Sequence, residues 1–365
     1  MNDIIKPESV TVDGGGRLTF SDFVVPSARD SAGEIARKVG LIVAVLLLIA
    51  GVIMIITSGG GGVSAEQEEI SRQREAALLR EETVTELSLE IAEPILAAQK
   101  KTPEILPKFR ELYAENSDLA GWIRIDGTPI DYPVMQAADN DFYLFKNFQK
   151  TYSIYGSVFA DYHDKFTPES RPNNTVLYGH NINVGTYFAK VTNYNPLKHG
   201  SMSFYTEHPT VTFDTVYEEG TYKIFAGIYI NTEEREGDVY PYYQKRRFKN
   251  RTEFYSFAAN ILDRSMFYTD VDLEYGDEIL TLSTCYYPLG DNVQTRFAVF
   301  ARRVRPGEDP SVDTGAAYQN KSPLYFKYYY AVNGGFWAGR TWDTAKLKGF
   351  DDYLKSNPEP NKFVT

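Results

Sequence analysis

Three side chains in this sequence could share one reaction centre: Cys285, His180 and Arg296. Cys285 is the only cysteine in 365 residues, so it closes no internal disulfide. Packing, metal binding or chemistry remain as its reasons to exist. An isolated cysteine in a β protein is more often a small core hydrophobe, so its neighbours decide. Cys285 ends the apolar and β-branched run Asp277–Cys285, which reads as a buried strand. His180 follows a similar run, Thr175–Tyr178, and Arg296 opens the strand-like Arg296–Arg302 after a Pro288/Gly290 turn. Strand ends are where a rigid scaffold presents reactive groups.

The chemistry available to such a trio is acyl transfer. A free thiol, with a pKa near ~8.5, is only a few per cent thiolate at neutral pH. An imidazole can take its proton or, as imidazolium, stabilise the thiolate, and can later protonate a leaving amine. Arginine is always charged, so Arg296 could donate to the oxyanion of a tetrahedral intermediate or bind the substrate backbone. The backbone N–H of Tyr286 is a second oxyanion candidate. The remaining histidines fit less well. His163 lies among acids in a loop, His199 in a Lys-His-Gly turn, and His208 before Pro209. No metal site and no cofactor are expected, because scattered histidines and one cysteine give no ligand spacing. Gly59–Gly62 has no Lys-Ser/Thr or strand–helix unit after it and reads as a linker.

The elements that must position these groups are short strands. Ala120–Ile125 alternates, Asp126-Gly127 signals a hairpin turn, and Thr128–Val134 follows. Further strands read at Gly156–Ala160, Asn174–Tyr178, Thr210–Phe213, Thr221–Ile230, Glu278–Cys285 and Arg296–Val304. Aromatics at 14% suit pleated surfaces. Many short strands with turns between them predict a closed or nearly closed barrel. One helix interrupts them, Glu253–Arg264, with Thr252 as the expected N-cap. Another is predicted over Pro103–Glu115, burying Ile105, Phe109, Leu112 and Tyr113.

The N-terminal third is organised differently. Residues 1–38 are rich in Gly, Ser and Asp and read as a disordered cytoplasmic tail. Residues 39–58 carry the uncharged run Leu41–Thr57, flanked by Arg37 and Lys38 on one side and by acids from Glu66 on the other. That pattern predicts a single-pass signal anchor, N-terminus inside, with the rest of the chain outside. Cleavage after Ala65 is the competing expectation. Residues 59–102 hold the glycine linker and a helical segment, either a stalk or a helix packed on the catalytic part. A net charge of −11 excludes a nucleic-acid face. Residues 306–365 form an aromatic-rich extension, either a binding module or lid, or a structural addition packed on the barrel.

Five segments in order, Asp139–Leu144, Gly156–Asp161, Leu177–Asn181, Leu282–Cys285 and Arg296, resemble the class B sortases, membrane-anchored cysteine transpeptidases of Gram-positive bacteria. The similarity spans roughly residues 105–305, so the catalytic barrel is expected over 103–305. It implies a mainly β fold with flanking helices: an eight-stranded sortase barrel, N-terminal helices, and a helix in the connection before the cysteine strand. It implies Cys285, His180 and Arg296 as catalytic residues. Asn140 and Leu144 would line one wall of a substrate groove, with Tyr178 and Ser283 flanking the reaction centre. The implied substrates are secreted proteins with a C-terminal sorting motif, of Asn-Pro type, cleaved after threonine. The implied acceptor is a cell-wall cross-bridge amine. Here Tyr286 and Tyr287 stand where some relatives carry an acid, so no orienting carboxylate is expected. Water as acceptor would make the protein a thiol endopeptidase. A non-catalytic surface-anchored barrel that binds a partner is the alternative outside enzymes.

Overall fold

In β8 (Ile279–Cys285) and in the middle of β9 (Thr295–Arg303), from Phe297 to Ala301, apolar and β-branched residues run on rather than alternating with polar ones. Such a pattern marks strands covered on both faces. The computed structural model shows why. It describes residues 31, 37–38, 68–76, 104–182 and 185–356. Among these, β1 (Leu119–Arg124), β2 (Asp131–Met135), β3 (Val158–Ala160), β4 (Asn174–Tyr178), β5 (Thr210–Thr215), β6 (Thr221–Asn231), β8 and β9 close a barrel in the order β1-β2-β3-β4-β8-β9-β6-β5. The parallel β4–β8 pair sets Tyr178 against Ser283, and the antiparallel β8–β9 pair sets Cys285 against Arg296.

The helices are α1 (Arg110–Glu115), α2 (Pro196–His199), α3 (Ser203–Glu207), α4 (Arg251–Arg264), α5 (Lys327–Asn333) and α6 (Phe350–Ser356). A 3-10 turn at Pro107–Phe109 leads into α1. The first helical turn therefore starts at Pro107, not Pro103, because proline at the first position fixes the entry after an extended Leu106. The cap of α4 is Asn250, not Thr252: the Asn250 side chain accepts from the Glu253 N–H at 3.0 Å. Phe254, Phe257, Ala258 and Ile261 of α4 pack on Ile279, Ala298, Phe300 and Ile228 in one buried cluster. The alternate residues Leu280, Leu282, Phe297 and Val299 are buried on the other face.

Residues 306–356 are built into this cover rather than appended to it. Tyr318–Gln319 (β10) pairs with Phe267–Tyr268 (β7), and Leu347 bridges to Leu273. Trp342, Leu347 and Phe350 join the α4 cluster. Arg340 donates two bonds to Asp263 of α4, at 2.8 and 2.9 Å, and Trp342 donates a third at 2.7 Å. These contacts pack part of the extension on the barrel's cover, while Phe336 stays 79% exposed.

The expected anchor at 39–58, the Ala65 site, the helical segment beyond residue 76 and residues 357–365 lie outside the described residues. Residues 68–76 are helical. Among the described residues no helix is long and apolar enough to cross a membrane.

Candidate active site

Ile279, Thr281, Ser283 and Cys285 share one face of β8, because side chains alternate along a strand. Ile279 lies in the α4 cluster, and Ser283 lies beneath Tyr242, whose hydroxyl is 2.6 Å from its Oγ. Ser283 is 2% exposed, whereas Cys285 is half-buried. The cover thus ends just before the sulfur and leaves it at the lip of the barrel.

On one side Cys285 is paired directly with Arg296. On the other, β4 pairs with β8 as far as Tyr178 opposite Ser283, and His180 follows two residues beyond that pairing. Three bonds carry the register past the strand end. Gly179 N–H donates to the Ser283 carbonyl at 3.3 Å, Thr284 Oγ1 to the Gly179 carbonyl at 2.7 Å, and Asn181 Nδ2 to the Cys285 carbonyl at 2.8 Å. Gly179 has no room for a side chain: a Cβ there would lie 2.7 Å from the ring of buried Phe188. His180, Cys285 and Arg296 are all half-buried, held by the scaffold yet open to solvent.

The imidazole has an orienting partner that no motif announces. His180 Nε2 lies 2.9 Å from the Leu144 carbonyl, so Nε2 carries a proton and donates, leaving Nδ1 for exchange. The Phe145 ring sits 6.2 Å from the imidazole. The guanidinium of Arg296 donates through one nitrogen to the Thr295 carbonyl at 3.1 Å and to the Tyr287 hydroxyl at 3.5 Å.

The remaining residues named from the sequence take quieter positions. The Tyr178 phenol donates to Asp161 at 3.0 Å, and its ring tilts against Phe159 at 5.4 Å. Burial, then Tyr242 and Asp161, raise its pKa, so it remains a donor. Burial likewise pushes Tyr242 up to about 12. Asn140 spends its amide on both sides, donating to Asp161 at 3.1 Å and accepting from the Tyr162 N–H at 3.0 Å. It braces the turn after β3. Leu144 is half-buried, and its carbonyl is what meets His180. The Tyr286 N–H donates to the Thr295 carbonyl at 3.2 Å, as a rung of the β8–β9 ladder. That donor is committed, which leaves Arg296 as the better-placed group for an oxyanion. Two of the other histidines are engaged elsewhere: His163 lies 2.9 Å from Asp161 and His208 lies 2.7 Å from the Asp126 carbonyl.

A closed eight-stranded barrel with a thiol at a strand end, arginine on the next strand and histidine on the one before defines a cysteine acyltransferase of sortase type. A sortase-domain family model matches residues 123–304. Sortase B of Listeria monocytogenes is 33% identical over 182 residues, covering 50% of this chain and 68% of that protein. Sortase B of Staphylococcus aureus is 31% identical over 186 residues, covering 51% and 70%. Among solved structures, sortase B from B. anthracis in complex with AAEK1 aligns with a TM-score of 0.50 at 26% identity, covering 67% of this chain and 98% of that one. A Staphylococcus aureus sortase B–substrate complex aligns at 0.54 and 24% identity, over 66% and 97%, and bears on the fold. The chain belongs to the sortase family, in its class B branch. As a sortase it is a cysteine transpeptidase.

Proposed function

We propose that Cys285 is the nucleophile of a transpeptidation that joins secreted proteins to the cell wall. The observation that carries this reading is the cross-strand pair Cys285–Arg296, with the residues on either side of His180 bonded to the Ser283 and Cys285 carbonyls. The thiolate adds to the threonine carbonyl of a C-terminal sorting motif, forming the S–C bond and an oxyanion. Arg296 donates to that oxyanion, a contribution worth on the order of 10²–10³ in rate at comparable sites. Collapse breaks the C–N bond, and His180 delivers a proton to the leaving amine from Nδ1 while Leu144 holds Nε2. The thioester then meets a cross-bridge amine, which loses its proton to His180 as the new amide forms and the thiolate departs.

Tyr178 and Ser283 form the floor behind the reacting row, and Asn140 fixes the neighbouring turn. An Asn-Pro-type motif is the expected substrate class. The enzyme works at the outer face of the cell membrane, held there by residues 39–58, whose flanking charges set the orientation.

The test is to incubate the soluble part with a labelled sorting peptide, with and without an amine acceptor. An amide product that depends on added amine supports the reading. Products unchanged by amine make the protein a hydrolysing thiol endopeptidase. Full retention of activity in Cys285→Ala would end the enzymatic reading of this site.

A further inference from the structure

The hairpin after β8 brings one more polar group to the Arg296 side chain, opposite Cys285. The Tyr286 N–H pairs with the Thr295 carbonyl, so the ladder continues one residue past Cys285. Tyr287 therefore lies on the same face as Cys285, two residues on. The chain then turns away, with the Gly290 N–H closing onto the Tyr287 carbonyl at 3.1 Å and Gly290 in the left-handed region at φ 99°. Glycine suits that bend because it carries no Cβ penalty there. The bend leaves the half-buried Tyr287 ring folded back over the site. Its hydroxyl accepts from Arg296 at 3.5 Å, and Arg296 is the cross-strand partner of Cys285. Tyr286 points the other way, its ring centroid 5.6 Å from that of Tyr229 and 6.0 Å from that of Phe297.

We propose that Tyr287 is a further catalytic residue, whose phenol donates to the Cys285 thiolate while accepting from Arg296. This rests on Cys285 being the nucleophile. A hydrogen bond to the charged form of an acid favours that form. The phenol relays the positive field of Arg296 to the sulfur through one short chain of donors. It occupies the position where a carboxylate would repel a thiolate. Burial, and then the neighbouring sulfur, raise the phenol's own pKa, so it holds its proton and remains the donor at neutral pH.

The protein's single cysteine makes the test direct, because iodoacetamide labels no other thiol. The rate of alkylation is measured against pH for the unmodified chain, Tyr287→Phe and Tyr286→Phe, with turnover of the labelled peptide alongside. Phenylalanine keeps the ring and removes only the hydroxyl, and a thermal melt verifies each fold. In Tyr287→Phe the alkylation curve is expected to move to higher pH by about one unit, with kcat reduced roughly tenfold and KM little changed. Tyr286→Phe should follow the unmodified chain. A Tyr287→Phe curve that superimposes on the unmodified one, or moves to lower pH, overturns the proposal. Alkylation reads the sulfur without any substrate. Failure here is therefore distinct from failure of the transpeptidase reading, which Cys285→Ala tests by turnover.

Discussion

Asn181 Nδ2 donates to the Cys285 carbonyl at 2.8 Å, so the residue next to the histidine holds the backbone of the cysteine. These two chain positions lie 104 residues apart. Their bond ties the chain beside the imidazole to the backbone that carries the sulfur. Asn181 is exposed, and its loss removes one hydrogen bond, about 1 kcal/mol. Asn181→Ala is expected to lower kcat by roughly 10–100-fold, because small misplacement of reacting groups is expensive in rate. Peptide kinetics beside a thermal melt would check both parts. A variant with full kcat would mean that the strands alone hold the spacing.

Arg296 separates charge from shape. Arg296→Lys keeps a cation but loses the guanidinium nitrogen that reaches both the Thr295 carbonyl and the Tyr287 hydroxyl. We expect a fall in kcat of about tenfold for lysine and on the order of 10²–10³ for alanine. Equal loss in the two variants would show that geometry, not charge, is what the reaction uses. A change confined to KM would assign Arg296 to substrate binding instead.

Behind the site, two buried acids share one guanidinium. Arg246 lies 2.8 Å from Asp161 and 3.5 Å from Asp164. Burial opposes ionisation of Asp161, but bonds from His163 and Asn140 and the Arg246 charge outweigh it and hold its pKa below the ordinary range. Burial, together with the Asp161 charge, pushes Asp164 up to about 8. The folded-state value of Asp164 lies above its unfolded value of ~3.9. Its stabilising contribution is therefore complete below ~3.9 and is lost as pH rises through about 8. Asp161 has the opposite sign and acts only at acid pH. Unfolding free energy should thus decline between about pH 5 and 8, and Asp164→Asn should flatten that decline. Denaturant titrations at several pH values measure it. An unchanged slope in the variant would mean that Asp164 is ionised throughout.

The link between the C-terminal strap and α4 is an ionic one with little exposure. Asp263 is 7% exposed and takes two bonds from Arg340 and one from Trp342. Arg340→Ala leaves a buried carboxylate with a single donor, a loss of about 2–3 kcal/mol. In a unit of this size that corresponds to a fall in Tm of roughly 5 °C. An unaltered melt would mean that the strap contributes little to the cover over β8 and β9.

Local pattern sufficed wherever burial repeats with the period of an element. β4 is Asn174–Tyr178, as the apolar run suggests, and the cysteine strand differs by one residue at its start. α4 was visible from its apolar face, although its cap lies at Asn250, two residues earlier, because the side-chain oxygen that reaches Glu253 N–H decides a cap. β7 and β10 were not visible. Each is two residues long and exists only because the strap and the chain after α4 pair with each other.

By itself the sequence determined the barrel strands, the helix before the cysteine strand, and the residue types able to do chemistry. Side-chain type and period are local quantities, so they can be read along the chain. Tertiary structure alone decided which backbone groups serve the site. The Leu144 carbonyl that orients His180, the Thr295 carbonyl that occupies Tyr286 N–H and the turn that brings Tyr287 to Arg296 involve main-chain atoms every residue possesses. No residue type encodes them, and they come into reach only when the barrel closes.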